Sequence, residues 1–142
     1  MKRFAVLSTI GIMALLAACG GGTPKSSTSP TQSATVTRLK STASIQIVSP
    51  TPNQVIHGSV LHVKVKLIGG TIVTLTTQNV TPTTGHIHVS IDGKIKSFYA
   101  GVDYDATGLT TGIHVLTVEF VMANHLPFDP RVRLSQTFRV AA

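Results

Sequence analysis

Alternating apolar and polar residues dominate the chain from about residue 43 onward. In residues 60–67, apolar side chains occupy every second position, with histidine and lysine between them. Because side chains alternate across a strand, this pattern predicts a β-strand with one buried face. No part of residues 43–142 shows the spacing of three to four residues that is typical of an amphipathic helix. We therefore expect an all-β domain.

Seven segments fit the strand pattern, and Gly or Pro residues separate them. The predicted strands cover residues 45–48, 60–67, 71–77, 86–91, 95–99, 113–121 and 132–140. Asp92-Gly93 adds a tight-turn signal between two of them. Short strands with this punctuation are typical of an antiparallel immunoglobulin- or fibronectin-like β-sandwich. Residues 43–142 are enough for one such core but not for two.

The segment from Leu109 to His114 resembles the corner of immunoglobulin and fibronectin sandwiches. In that corner a tyrosine makes a hydrogen bond to an upstream backbone group. In this chain we expect His114 to take the place of the tyrosine.

The first 18 residues have the features of a bacterial lipoprotein signal peptide. Two cations precede an apolar run from Phe4 to Ala18, which is shorter than the roughly 20 residues of a membrane-spanning helix. The run closes with Leu16-Ala17-Ala18-Cys19, which resembles a lipobox. The resemblance implies cleavage before Cys19, a lipid anchor on its sulfur and an extracytoplasmic position at the bacterial cell membrane, or at the outer membrane of a Gram-negative cell.

Residues 19–42, which include the lipidated cysteine, are rich in Ser, Thr, Pro and Gly and poor in large apolar residues. Such a composition cannot offset the entropy cost of ordering the chain. We expect a flexible linker that holds the domain of residues 43–142 on the order of 25 Å from the lipid surface.

The formal charge is +7, from 12 Lys and Arg against 5 Asp and Glu, and the cations are dispersed along the chain. Nucleic-acid binding requires clustered cations with interleaved aromatic residues, and this pattern is missing from the sequence. The charge instead favours a weak, salt-sensitive attraction to anionic lipid or to an envelope polymer.

The sequence contains few of the residues that commonly catalyse reactions. Its sole cysteine is Cys19, no serine lies in a Gly-x-Ser-x-Gly motif, and the acidic residues number only five. Triad or paired-carboxylate chemistry therefore lacks its usual residues. We expect a protein that is not an enzyme.

Six histidines are the remaining candidates for chemistry. His86 and His88 lie two residues apart on a predicted strand, so both project from one face, about 6 to 7 Å apart. That spacing suits two imidazole ligands of Zn²⁺ or Cu²⁺, with His125 or His114 as a further ligand. The alternative is that His86 and His88 are outward-facing polar residues and that His114 bonds a backbone carbonyl at the corner.

Two other patterns predict surface features. His57 and His62 are expected to face solvent. Residues 103–108 resemble the start of a calcium-binding loop, but the twelfth position holds His114 where such loops have a bidentate glutamate. We expect this segment to form a surface turn.

Four segments together resemble a bacterial exported domain family of unknown function. The family pattern combines Pro-x-x-Gly-x-x-Val, Gly-His-His-His-Leu-x-Ile-Asp, Pro-Gly-x-His-Thr-Leu and His-x-Pro-His-x-Pro-x-Val. The matching segments are residues 47–55, 84–92, 109–116 and 124–132. This chain has Ile87 and Phe128 at two of the family's histidine positions and keeps His86, His88, His114 and His125. The resemblance implies export and the fold, and it assigns no activity.

These observations favour a membrane-anchored extracytoplasmic lipoprotein that carries a non-enzymatic immunoglobulin-like binding or accessory module. The membrane is its partner through Cys19, and an envelope protein or polymer is the expected ligand. The alternative is a periplasmic or surface protein that binds copper or zinc through His86, His88 and His125, with His114 in support.

Overall fold

The computed structural model describes residues 37–142. The predicted signal peptide (residues 1–18), Cys19 and most of the predicted linker lie outside the described residues. Within residues 37–142 there is no helix of the length and apolar character that crossing a membrane requires.

Nine β-strands and no helix form the described part of the chain. The strands are β1 (Ser44–Ser49), β2 (Gln54–His57), β3 (Leu61–Ile68), β4 (Thr71–Ile72), β5 (Thr84–Ile91), β6 (Lys94–Ala100), β7 (Asp103–Ala106), β8 (Gly112–Met122) and β9 (Pro127–Ala141). The all-β fold predicted from the alternating pattern is therefore confirmed.

The strands form two sheets. One is antiparallel, in the order β1-β3-β7, and the other has six strands in the order β2-β9-β8-β5-β4, with β6 also paired to β5. Two pairs in the larger sheet, β2 with β9 and β4 with β5, are parallel. The larger sheet is thus mixed, whereas the sequence pattern predicted antiparallel pairing alone.

One hydrophobic core joins the inner faces of both sheets. Strand β3 supplies Leu61, Val63 and Val65, each at most 4% exposed, as the alternation over residues 60–67 predicts. The larger sheet supplies the bulkiest members, among which Phe120 stacks on Phe128 with ring centroids 5.4 Å apart. Its other members come mainly from the inward positions of β5, β8 and β9, namely Ile87, Val89, Ile91, Leu116, Val118, Phe138 and Val140.

Three elements differ from those predicted. Residues 103–106, expected as a surface turn, form β7 beside β3, because Ala106 is buried in the core and Tyr104 packs against it. Strand β2 was not predicted, and it is only four residues long, beside the end of β9. The predicted strand 71–77 is reduced to Thr71–Ile72, since the chain then leaves β5 and the Thr77 amide donates to the Ala123 carbonyl.

The last residues of the predicted linker pack onto the domain. Leu39 is half-buried against the core, and its carbonyl accepts a hydrogen bond from the Asp129 amide at 2.9 Å. The Ser41 hydroxyl donates to the Pro82 carbonyl at 2.6 Å. Packing therefore begins before residue 43, because an apolar residue is available there to cover the core.

Candidate functional site

His86 and His88 share the outward face of β5. Ile87 and Val89, which lie between and after them, are fully buried on the inner face, as the alternation predicts. His86 is nevertheless 0% exposed, and His88 is only partly exposed. Side chains from β6 and from the β8–β9 turn cover them, so this part of the outward face is itself packed.

A β-bulge between β5 and β6 supplies two of the covering side chains. Ile87 pairs with Ala100 and Val89 pairs with Ser97, so β6 contains one more residue than β5 between these pairs. A bulge redirects side chains that would otherwise alternate. Here it brings Phe98 against His88, with ring centroids 5.1 Å apart, and Tyr99 against His86, at 4.9 Å.

His125 is the third covering side chain and lies in the tight turn between β8 and β9. Its amide donates to the Met122 carbonyl at 2.8 Å, and its φ of 65° is in the left-handed region that few residues other than glycine adopt. Its ring stacks on His86 with centroids 4.4 Å apart and planes 13° from parallel. The turn thus brings a histidine from another strand pair over β5.

Ring contacts and hydrogen bonds join these side chains into what we call the histidine–aromatic cluster: His86, His88, Phe98, Tyr99 and His125. His88 Nε2 lies 2.9 Å from His125 Nδ1, and His125 Nε2 lies 3.0 Å from the Tyr99 hydroxyl. The Thr76 hydroxyl contacts both His125 Nε2, at 2.9 Å, and the Tyr99 hydroxyl, at 2.8 Å.

The surroundings of His88 and His125 favour the neutral form of these two rings. Burial, aided by the neighbouring His125, lowers the pKa of His88 to about 4. Burial, aided by His86, also lowers the pKa of His125. A neutral ring has one donor and one acceptor nitrogen, so the His88–His125 contact is one hydrogen bond with a single shared proton.

His86 holds a buried ring nitrogen with no partner. Its Nε2–H donates to the Ala123 carbonyl at 3.1 Å, since a carbonyl oxygen can only accept. Among the described residues, Nδ1 of His86 has no hydrogen-bond partner although it is buried. Buried polar atoms are normally paired, so this nitrogen is an exception at the centre of the cluster.

His114 lies apart from the cluster, on the inner face of β8. It stacks on Phe138 with centroids 5.4 Å apart. Its Nδ1–H donates to Asp92 Oδ2 at 2.7 Å and its Nε2–H to the Thr110 carbonyl at 2.8 Å. These two bonds, the Asp92 bond first, raise the pKa of His114. The bond to Thr110 is a bond to an upstream backbone carbonyl, as the sequence predicted for His114.

The structure therefore divides the four histidines proposed as metal ligands. It brings His86, His88 and His125 together and places His114 on the opposite face of the sheet, where both of its ring nitrogens donate hydrogen bonds. In the part of the chain that the structure describes, no three His, Cys, Asp or Glu side chains are arranged to hold a metal. His57 and His62 are exposed, as predicted, and His62 Nδ1–H donates to Asp105 at 2.6 Å.

A polar groove adjoins the cluster along the outward face of β5, β8 and β9. Its most buried polar group is Glu119, 7% exposed, whose two oxygens accept hydrogen bonds from Arg131 at 2.7 and 2.5 Å. The groove has a volume of about 320 Å³ and is lined by His88, Ser90, Gly93, Ile95, Thr117, Glu119, Arg131 and Arg133. His88 belongs to both the groove and the cluster, so the two form a continuous surface.

Phe98, Tyr99 and the Glu119–Arg131 pair were not predicted as site residues. In a regular strand, Phe98 and Tyr99 would point to opposite faces, and only the bulge brings both to the histidines. Glu119 and Arg131 are twelve residues apart and meet across the β8–β9 hairpin. Glu119 lies in the predicted strand 113–121, but Arg131 precedes the predicted strand 132–140, because β9 begins earlier, at Pro127.

The chain matches no protein-family model and no curated protein. Among solved structures it is similar to the crystal structure of an engineered protein, with 13% sequence identity and a TM-score of 0.44. The similar region covers 70% of this chain and 20% of that one, so this chain spans about a fifth of the engineered protein's length. A likeness this low carries no argument about fold or function.

Proposed function

We propose that this chain is a membrane-anchored extracytoplasmic lipoprotein whose domain is a non-enzymatic, immunoglobulin-like binding module. The lipobox-like sequence ending at Cys19 and the linker composition support the anchor. The observation that carries the binding role is the histidine–aromatic cluster, which continues into the polar groove on one face of the six-stranded sheet.

Two features support the immunoglobulin-like assignment. The core lies between the inner faces of a three-stranded and a six-stranded sheet, as in two-layer sandwiches. His114 makes the hydrogen bond to an upstream carbonyl that tyrosine makes at the corner of immunoglobulin domains.

The surface of the cluster has the composition of a binding site. Phe98 is 49% exposed and Tyr99 is 57% exposed, and with His125 they line an open depression. Exposed apolar groups beside polar groups are typical of interaction sites.

Replacing Phe98 tests this surface. A Cys19→Ser variant produced without residues 1–18, which cannot be acylated, is expected to bind isolated cell envelopes. Adding Phe98→Ala should weaken that binding about tenfold, as for an aromatic residue at the centre of an interface. The measurement is co-sedimentation with envelopes over a range of protein concentrations.

The matched control is Ile113→Ala, which also removes an exposed apolar side chain from the outward face of the same sheet; Ile113 is 73% exposed and lies outside the cluster. This variant is expected to bind as well as its parent. Equal binding by the Phe98 and Ile113 variants, or no binding of the parent, would contradict the proposal.

Copper or zinc binding is a second candidate function, and the His88–His125 contact favours it. Two neutral imidazole nitrogens 2.9 Å apart need only a small separation to become ligands of one ion. His125 Nε2 could then donate its proton to Tyr99 or Thr76, the kind of outer contact that orients a ligating histidine. The ring of His86 stacks on the ring of His125, so His86 is not included among the ligands of this proposed ion.

Titration of the Cys19→Ser protein with Cu²⁺ and Zn²⁺ tests this second function. His88→Ala and His125→Ala are each expected to weaken binding at least tenfold, whereas the exposed His62→Ala should leave it unchanged. Because the pKa of His88 is lowered to about 4, that ring stays neutral well below the usual pH of about 6.5, and binding should persist at pH 5.5. Affinity that is the same in all three variants would contradict a site at this pair.

A further inference from the structure

The groove beside the cluster carries an excess of positive charge. Both oxygens of Glu119 accept hydrogen bonds from Arg131. Arg133 faces Glu119 across the β8–β9 pair, and within residues 37–142 it forms no salt bridge. Arg133 therefore remains available for an anionic group that enters the groove.

Hydroxyl groups follow the arginines along the same face. Thr117 and Ser135 are paired across β8 and β9, and their hydroxyls are 2.7 Å apart. Ser90, on β5, lies beside Thr117 in the register of the sheet and also lines the groove. Neutral hydroxyls that both donate and accept suit a ligand that itself carries many hydroxyls.

The aromatic end of the surface adds a flat apolar contact. Phe98 packs against His88, which lines the groove, and Tyr99 is the next residue of β6, so the two exposed rings lie beside the His88 end of the groove. About half of each aromatic side chain is exposed. A ring with an apolar face can pack there while its polar groups contact the hydroxyls.

We propose that this surface binds an anionic glycan, with an acidic group on Arg133, sugar hydroxyls on Ser90 and Thr117, and a sugar ring on Phe98 and Tyr99. This inference rests on the proposed binding function and names its ligand class. Charge complementarity selects an acidic chain, because the groove holds two arginines against one glutamate. The acidic group can be the carboxylate of a uronic acid or the phosphate of a polyol phosphate polymer.

The test measures the affinity of the Cys19→Ser protein for three soluble polymers: polygalacturonate, poly(glycerol phosphate) and neutral dextran. We expect binding to at least one acidic polymer, weakened by added salt, and binding to dextran at least tenfold weaker. Comparison of the two acidic polymers distinguishes carboxylate from phosphate. Arg133→Gln should reduce the acidic-polymer affinity about tenfold.

Arg139→Gln is the matched control, since Arg139 is exposed on the outward face of β9 but pairs with Ile113, away from the groove. Equal effects of the two arginine variants would overturn the inference, as would equal affinity for dextran and the acidic polymers. If none of the polymers binds while envelopes still bind in a Phe98-dependent manner, the proposed glycan ligand is wrong and the proposed binding function is retained. If envelope binding is also lost, both fail.

Discussion

Substituting alanine for Gly85 is expected to destabilise the domain by about 3 kcal/mol or more, because the added methyl group has no room. A Cβ at this position would overlap the carbonyl oxygen of Val121 on β8 and would lie 3.1 Å from the Phe120 ring. Since the obstacle is backbone, β5 and β8 must separate locally. The displacement would also move His86, the next residue, away from the Ala123 carbonyl.

Urea denaturation of the Gly85→Ala variant measures this loss. Gly101→Ala is the control, because the nearest atom to a Cβ there is 3.7 Å away, an ordinary contact, and it should change the free energy of unfolding by less than about 1 kcal/mol. Similar unfolding free energies for the two variants would show that β5 and β8 do not approach as closely as described.

His114→Ala should lower the free energy of unfolding by about 3 kcal/mol at mildly acidic pH, because it removes two hydrogen bonds and a buried ring. The loss should depend on pH. The pKa of His114 is raised in the folded state, so protonation of its ring stabilises the fold. That stabilisation is complete below the pKa of the unfolded state, near 6.5, and is lost as the pH rises through the pKa of the folded state. The difference between parent and variant should therefore be larger at pH 5 than at pH 9.

Denaturation of parent and variant at pH 5, 7 and 9 measures this difference. His88, whose lowered pKa affects stability with the opposite sign, is present in both proteins, so its contribution cancels in the comparison. A difference that stays constant or increases from pH 5 to pH 9 would contradict the Asp92–His114 interaction.

The strands that alternate cleanly were predictable because burial alone determines their pattern. The alternation in residues 60–67 correctly predicted β3 and its buried face. The spacing of residues 86 and 88 correctly predicted that both lie on one face of β5. Strand β7 was not predicted, because its aspartates are typical of turns. It forms because Ala106 is buried in the core and the segment pairs with β3. The parallel pairing of β2 with β9 depends on contacts between distant segments, which local patterns do not encode.

Only part of the site could be predicted, because the rest depends on pairing and turn geometry. The sequence placed His86 and His88 on one face and named His125 as their companion, but the left-handed φ that brings His125 over β5 has no signature in the residue itself. The bulge at Phe98 and Tyr99 is a property of the β5–β6 register. His114 was grouped with the other histidines by residue type. It lies on the same face of β8 as Leu116 and Val118, however, and this face points into the core.

One measurement decides whether the outward face of the six-stranded sheet is the binding surface. It compares envelope binding by the Cys19→Ser protein with binding by its Phe98→Ala and Ile113→Ala derivatives. Loss of about tenfold in affinity from Phe98→Ala, with none from Ile113→Ala, is the outcome predicted from the exposed rings over His86 and His88. Unchanged affinity in the Phe98→Ala derivative would contradict it.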